Sequence, residues 1–138
     1  ACIHPAFRNG SVLLLLWSGL AQFLQESGYR YAIGCASIPL SEGHANAVAV
    51  YRDVAARALA PAELRVAPRH AYPLRDLHPI ESLTGPRIPP LVKGYLKLNA
   101  WIGGEPAWDP AFGTADLFVM LSMARMPEHY RRHFQAAA

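Results

Sequence analysis

Hydrophobic residues in the first half of the chain follow two different periods. From residue 12 to residue 26 they recur every three or four positions, which predicts an amphipathic helix. Residues 29–38 form a short, mostly apolar run that ends before Pro39, and this pattern predicts a strand. Helical spacing returns over residues 44–60, where it predicts a second helix that Pro61 ends.

The second half of the chain is less regular. Residues 61–90 are rich in proline, and we expect an irregular excursion over the surface with one short strand near residues 64–67. The pattern beyond this stretch predicts, in order, a helix over residues 91–101, a glycine turn at 103–104 with a short strand after it, a strand over 116–123 and a helical turn over 127–134.

The opening residues are predicted to form a strand, a turn and the start of the first helix. Ile3 and Phe7 have the character of strand residues, and Pro5 marks a missing hydrogen bond in the ladder. A strand, a helix and the strand at 29–38 would form a unit with two parallel strands and a right-handed crossover. Because Ala1 would then lie inside a strand, we expect the chain to be the C-terminal part of a longer domain.

Composition indicates one globular domain over residues 1–138. Hydrophobic residues make up 52% and charged residues 17%, and the basic residues behind the net charge of +3 are scattered, which argues against nucleic-acid binding. Cys2 and Cys35 lie in apolar surroundings and are predicted to be buried free thiols. The apolar run at residues 12–17 is shorter than the roughly 20 residues of a membrane span. Since no signal-peptide pattern is visible either, we expect a cytoplasmic protein.

Four sequence blocks carry a resemblance to a known family. They are Cys-Ile-His-Pro-Ala-Phe-Arg-Asn-Gly at 2–10, Tyr-Arg-Tyr-Ala-Ile-Gly-Cys-Ala-Ser at 29–37, Pro-Pro-Leu-Val-Lys-Gly-Tyr-Leu at 89–96 and Gly-Glu-Pro-Ala-Trp-Asp-Pro-Ala-Phe-Gly-Thr-Ala-Asp at 104–116. In this order they resemble the hemolysin-like L-ornithine N(alpha)-acyltransferases. The resemblance implies an α/β fold of the GNAT type, with a mixed sheet and flanking helices. It also implies that a 3-hydroxy fatty acyl group is moved from acyl carrier protein to the α-amine of ornithine, giving lyso-ornithine lipid.

The resemblance places the acyl donor at the turn before the first helix. Arg8, Asn9, Gly10 and Ser11 would hold the phosphate of the donor's phosphopantetheine thioester, because the first N–H groups of a helix and its positive end favour an anion. Leu13 stands where the usual GNAT loop has its second small residue. The bulkier side chain leaves less room for the pyrophosphate of coenzyme A, which favours acyl carrier protein as the partner. No tightly bound cofactor is expected.

Two residues are candidates for the proton transfers. Tyr51 matches the GNAT tyrosine that lies near the thioester sulfur, where it could protonate the leaving thiolate. The competing interpretation is a core tyrosine with a hydrogen-bonded hydroxyl. His4 could accept the proton of the attacking amine, and the N–H groups of Ile3 and His4 could stabilise the oxyanion. A structural histidine before Pro5 is the alternative for His4.

The last block holds the candidates for substrate binding. The carboxylates of Glu105, Asp109 and Asp116 could receive the second ammonium of ornithine, and Trp108 could form a wall of the pocket. Ordinary turn and cap chemistry explains Asp109 and Asp116 equally well. A metal site is not expected, because no further ligands accompany the two histidines at positions 129 and 133.

Two other functions remain open at this stage. One is a synthase of the same fold that acylates a different amine, such as an N-acyl amino acid or acyl-homoserine-lactone synthase. The other is a module that binds an acyl chain or a carrier protein without catalysis. Since an acylated product is amphiphilic, we also expect peripheral association with the inner face of the membrane.

Overall fold

A computed structural model describes residues 4–7, 10–74 and 85–136. Its main elements are α1 (Gly10–Glu26), β1 (Tyr31–Pro39), α2 (His44–Ala58), α3 (Pro90–Lys97), β2 (Trp101–Ile102), β3 (Ala107–Asp109), β4 (Thr114–Ser122) and α4 (Glu128–Ala136). Single 3-10 turns at Pro5–Phe7, Leu40–Glu42 and Ala62–Leu64 connect them. The long apolar and amphipathic stretches of the sequence thus became α1, α2, β1 and β4, as predicted.

The sheet is built around β4. Strand β1 pairs with it in antiparallel register along nine residues, from Tyr31 opposite Ser122 to Pro39 opposite Thr114. The other edge of β4 is shared by the two short strands β2 and β3, which are also antiparallel to it. An isolated parallel bridge also joins Leu59, just after α2, to Ile102. The predicted α/β class with flanking helices is confirmed.

The core lies between the sheet and the helices. Alternate residues of β4 are buried there, because successive side chains of a strand point to opposite faces. Helix α2 contributes the buried stripe that its sequence predicted. The buried residues from β4 and α2 are Ala115, Leu117, Val119 and Leu121 with Ala47, Val48, Val50 and Val54. Among the described helices, none is long and apolar enough to cross a membrane.

The paired glycines after β2 are required by close packing. The Val66 N–H donates to the carbonyl of Gly103 (2.9 Å), and the Gly103 N–H donates to the carbonyl of Phe118 (2.8 Å). A Cβ at Gly103 would lie 2.6 Å from the Phe118 ring, and one at Gly104 would lie 2.3 Å from the Val66 carbonyl oxygen. The two glycines therefore let Val66, which follows the 3-10 turn at Ala62–Leu64, pack directly on the sheet.

Several predictions for the ends of elements were wrong. Phe7 belongs to a 3-10 turn closed by its N–H on the His4 carbonyl, and its side chain is 60% exposed, so it is no strand residue. Residues 1–3 and 8–9 lie outside the described residues, and no parallel partner of β1 is found among the described ones. Helix α3 ends at Lys97 because Asn99 takes the left-handed conformation (φ 56°) that terminates helices.

Two further predictions, one for the stretch at residues 64–67 and one for Cys35, were wrong. The stretch predicted as a strand at residues 64–67 instead leaves a 3-10 turn and runs extended beside Gly103. Cys35 is exposed, because it belongs to the face of β1 that points away from the core. Its apolar neighbours in sequence misled the prediction, since they lie on the other face. Cys2 lies outside the described residues.

Replacing Gly104 with Ala should lower the free energy of unfolding by about 1–3 kcal/mol, because the new methyl group collides with a backbone carbonyl that cannot move independently. Urea unfolding followed by circular dichroism measures the effect. Gly94→Ala is the matched control, since nothing lies within 4 Å of a Cβ at that helical position. It should raise stability by up to about 1 kcal/mol. Equal stability of the two variants would contradict the close packing.

Candidate functional site

The start of α1 retains the geometry that an anion site needs. Helix α1 begins at Gly10, two residues earlier than predicted, so Gly10 and Ser11 form its first turn. The N–H groups of a first turn have no acceptor within the helix, and the helix dipole is positive at this end. No acidic residue in the turn opposes that potential. Arg8 and Asn9, the other two residues of the predicted phosphate turn, lie outside the described residues.

The surroundings of Tyr51 keep its phenol hydroxyl protonated. It stands on α2 between the buried residues Val50 and Val54, and its side chain is half-buried. Burial raises the pKa of its phenol above the ordinary value of 10.0, the carboxylate of Glu105 raises this pKa further, and the Arg65 guanidinium opposes the shift. The hydroxyl is therefore protonated at neutral pH, as a general acid must be.

Glu105 and Arg65 both act electrostatically on Tyr51, and both directly adjoin in sequence the glycine contact described above. Glu105 directly follows Gly104, so packing of Val66 on the two glycines brings both charged residues to α2. The Nε of Arg65 donates to the Ala60 carbonyl (2.8 Å), which fixes its stem at the end of α2. Sequence analysis missed Arg65, because a single arginine in an irregular proline-rich stretch gives no signal.

Asp116 carries an unusual feature for a carboxylate. In β4 it lies opposite Ser37 of β1 and Ala107 of β3, and it alternates with core residues, so it faces away from α2. Its Oδ1 atom is buried and has no hydrogen-bond partner in the described part of the chain. A buried, unpaired polar atom costs about 1–3 kcal/mol, and more when it is charged. The position therefore favours a cationic or N–H donor from a ligand or another segment.

The other predicted substrate residues do not join Asp116 in one pocket. Asp109 Oδ1 accepts a hydrogen bond from the Phe112 N–H (3.0 Å) and closes the turn between β3 and β4, so the turn interpretation of Asp109 is the better one. Trp108 lies opposite Ala115, a core residue, and is thus on the other face of the sheet from Asp116. Glu105 is found near Tyr51. The four residues form at least two separate environments.

His4 lies in its own turn. Its Nδ1 accepts a hydrogen bond from the Ala6 N–H (3.3 Å), and its ring contacts Phe7 with a centroid distance of 5.9 Å. These contacts agree with the structural interpretation of a histidine before Pro5. Among the described contacts none joins His4 to Tyr51, so these contacts give His4 no place in the proton transfers. The Ile3 N–H lies outside the described residues.

The structure also contains a tyrosine–histidine pair that the sequence did not predict. Tyr72 is buried, and its hydroxyl lies 2.6 Å from Nδ1 of His44, the first residue of α2, with the two rings stacked. Burial raises the pKa of Tyr72, so its hydroxyl stays protonated at neutral pH while it forms a hydrogen bond with the histidine ring. The pair ties the proline-rich excursion to the start of α2. Neither residue has a recognisable sequence signal.

The described residues contain no group of three or more His, Cys, Asp or Glu side chains that could hold a metal ion. The His129 ring packs against Tyr130 instead, with a centroid distance of 4.1 Å. The side chain of residue 133, the other histidine of the predicted pair, lies outside those described.

Comparison with known proteins shows which proteins the chain is similar to. The chain is 33% identical over 143 residues to an L-ornithine N(alpha)-acyltransferase of Brucella abortus (strain 2308), a match that covers 100% of this chain and 50% of the relative. Proteins of the same name from Rhizobium meliloti (strain 1021) and Agrobacterium fabrum (strain C58) are 30% and 32% identical, and each match covers 100% of this chain and 48% of the relative. No protein-family model matches the chain, and no solved structure does. The chain spans about half the length of these curated relatives.

Proposed function

We propose that the chain is part of an enzyme that acylates the α-amine of L-ornithine. The observation that carries the proposal is the similarity, along at least 97% of the chain, to four relatives that all bear the name of this activity. Two features of the described residues support it. Tyr51 is held protonated, and Asp116 offers a buried carboxylate oxygen without a partner.

The proposed donor is an acyl group carried as a thioester on acyl carrier protein. The first turn of α1, with Gly10 and Ser11, would receive the phosphate of the phosphopantetheine arm. Arg8 and Asn9 directly precede this turn in sequence and are proposed to take part. No resident cofactor is needed, because the thioester already carries the activated acyl group.

The reaction requires one bond to form and one to break. The uncharged α-amine attacks the thioester carbonyl and forms the C–N bond, after which the C–S bond breaks and the nitrogen releases its extra proton to water. The departing thiolate takes a proton, and we assign this donation to the Tyr51 hydroxyl. The product is ornithine with one acyl chain, a lyso-ornithine lipid, so we place the enzyme in the cytoplasm at the inner face of the membrane.

Asp116 is the proposed contact for the side-chain ammonium of ornithine. An ammonium group would supply charge-assisted hydrogen bonds to the buried Oδ1 atom and remove the cost of leaving it unpaired. Asp109 already accepts a hydrogen bond from the Phe112 N–H in the turn between β3 and β4, which favours Asp116 for this role. Glu105 lies near Tyr51 and is better suited to keeping the phenol protonated.

The activity itself is tested by incubating the full-length protein with 3-hydroxyacyl carrier protein and single amines, with products identified by mass spectrometry. We expect acylated ornithine, and an increase of the KM for the carrier substrate of about tenfold or more in Arg8→Ala, since one charge-assisted phosphate contact is worth about 1.5–3 kcal/mol. Acylation of homoserine or other amino acids instead of ornithine would favour the sister synthases. Carrier binding without any product would favour a binding module.

Tyr51→Phe should lower kcat by about 10²–10⁴-fold, because the ring remains but the proton donor is lost. The pH profile gives a second readout. Since the phenol must stay protonated and its pKa is raised above 10.0, wild-type activity should fall only at strongly alkaline pH, and the variant should lack this fall. Tyr95→Phe is the control, as burial also raises the pKa of Tyr95 but its ring packs on Trp17 of α1. Equal losses in both variants would contradict the assignment.

Asp116→Asn should raise the KM for ornithine by about 10–100-fold, the equivalent of one charge-assisted hydrogen bond. Acylation of norvaline, which has the same carbon chain without the second amine, should be unaffected or improved. Asp109→Asn is the matched control and should leave both KM values near those of the wild type, because its side chain can still accept from the Phe112 N–H. If Asp116→Asn impaired the acylation of ornithine and of norvaline equally, the carboxylate would have only a structural role.

A further inference from the structure

Tyr72 and His44 form a contact whose neighbours lead to both environments of the candidate site. The Tyr72 hydroxyl lies 2.6 Å from Nδ1 of His44, and the two rings are stacked with a centroid distance of 5.9 Å. Tyr72 is buried, whereas His44 is exposed at the first position of α2. Because a buried hydroxyl without a partner is costly, this hydrogen bond favours one position of Tyr72 relative to α2.

The backbone around Tyr72 is paired with β3. The Tyr72 N–H donates to the Pro106 carbonyl (2.9 Å), and the Trp108 N–H donates to the His70 carbonyl (2.8 Å). Residues 70–72, which we name the 70–72 segment, therefore add a short stretch of extended backbone beside β3. Since the Tyr72 side chain contacts the start of α2, it attaches this segment, and β3 with it, to the helix.

Ala107 of β3 connects the 70–72 segment with Asp116. On one side Ala107 lies opposite Asp116 of β4, and on the other it lies opposite Ala71 in an isolated antiparallel bridge. Residues directly opposite each other share a face of the sheet, with Cβ atoms about 4.5–5.5 Å apart. Ala107 and Ala71 therefore lie on the face that carries the Asp116 carboxylate. Tyr72 alternates with Ala71 and points to the other face, where it joins the core.

The residue before Pro106 leads to the second environment. The carboxylate of Glu105 raises the pKa of Tyr51, which lies on α2 about two helical turns after His44. The stretch from Glu105 to Ala107 is therefore linked to α2 at two points, one through Tyr72 and one through Tyr51. A displacement of this stretch would change both environments of the site at once.

We propose that Tyr72 and His44 are positioning residues, which hold the stretch from Glu105 to Ala107 between Tyr51 and Asp116 and thereby set the affinity for the amine substrate. The inference rests on the proposed function, because the amine site is the one assigned to Asp116. None of the contacts in this series involves the start of α1, where the phosphate of the donor is proposed to bind. The pair therefore acts on the amine and not on the carrier substrate.

The test compares two substitutions of His44 that have nearly the same shape, made in the full-length protein. His44→Asn keeps a hydrogen-bonding group near the position of Nδ1, whereas His44→Leu places a methyl group there. We expect His44→Leu and Tyr72→Phe each to raise the KM for ornithine about three- to tenfold, the equivalent of one hydrogen bond. The KM for the carrier substrate should not change, and His44→Asn should stay close to the wild type. The double variant of His44→Leu and Tyr72→Phe should be no worse than either single variant, because both remove the same bond.

Asn46→Leu is the matched control. Asn46 also lies in the first turn of α2, where its side-chain amide forms two hydrogen bonds with the backbone of Arg87 (2.9 and 3.3 Å). Because Arg87 is not part of the contacts that lead to β3, this variant should keep the KM for ornithine of the wild type. Hydrogen exchange gives a readout that does not depend on the reaction. The N–H groups of Tyr72 and Trp108 should lose protection in His44→Leu and keep it in Asn46→Leu.

Four results would overturn the proposal. Unchanged exchange in His44→Leu would show that the pair does not hold the 70–72 segment. Faster exchange with an unchanged KM for ornithine, or with an equal rise of both KM values, would leave the pair a structural role only. Equal effects of His44→Leu and His44→Asn would show that the hydrogen bond is not the cause, and equal effects of His44→Leu and Asn46→Leu would indicate a general loosening of α2.

Failure of the proposed function gives a different result. In that case the wild type acylates no ornithine, and the kinetic comparison is made with the amine that it does acylate. Protection of the Tyr72 and Trp108 N–H groups is measured in the same way whatever the substrate. Its loss in His44→Leu would still support the attachment of β3 to α2, and its persistence would still refute it.

Discussion

The pairing of β4 on both of its edges is the interaction on which the rest of the structure depends. One edge holds all nine residues of β1, and the other holds β2 and β3 in turn. Because the strand is central, its alternating side chains must serve two environments at once. One face completes the core with α2, and the other presents Asp116 and Phe118. None of the other described strands is paired with named strands on both of its edges.

The two candidate environments of the site are connected through this strand. The Gly103 N–H bonds to the Phe118 carbonyl, two residues beyond Asp116 along β4, and Glu105 follows the same pair of glycines toward Tyr51. Arg65 and Glu105 are the charged neighbours of Tyr51, and β4 is the strand that carries Asp116. The contact of Val66 with these glycines therefore sets the position of Arg65 and Glu105 relative to β4. A substitution that opens this contact would disturb both environments without touching a reacting atom.

The sequence predicts local structure well here, and it fails where a residue's role depends on a distant partner. Periodicity located α1, α2, β1 and β4, because each is long and has one apolar face. Asp109 and Asp116 look equivalent in sequence, yet one closes a turn and the other has a buried oxygen without a partner. Cys35 sits among apolar neighbours, and only the pairing of β1 shows which face it takes. Arg65 affects the pKa of Tyr51 through tertiary packing that no pattern in the proline-rich stretch encodes.

The buried oxygen of Asp116 is costly when the described residues are considered alone. A buried carboxylate oxygen without a donor lowers stability, and Oδ1 of Asp116 has no hydrogen-bond partner in the described part of the chain. This oxygen does not help α2 and the sheet to pack, because Asp116 lies on the face of β4 that points away from α2. A cationic group at this atom would remove the cost, and for that reason the proposed ammonium contact is assigned to Asp116 and not to another carboxylate.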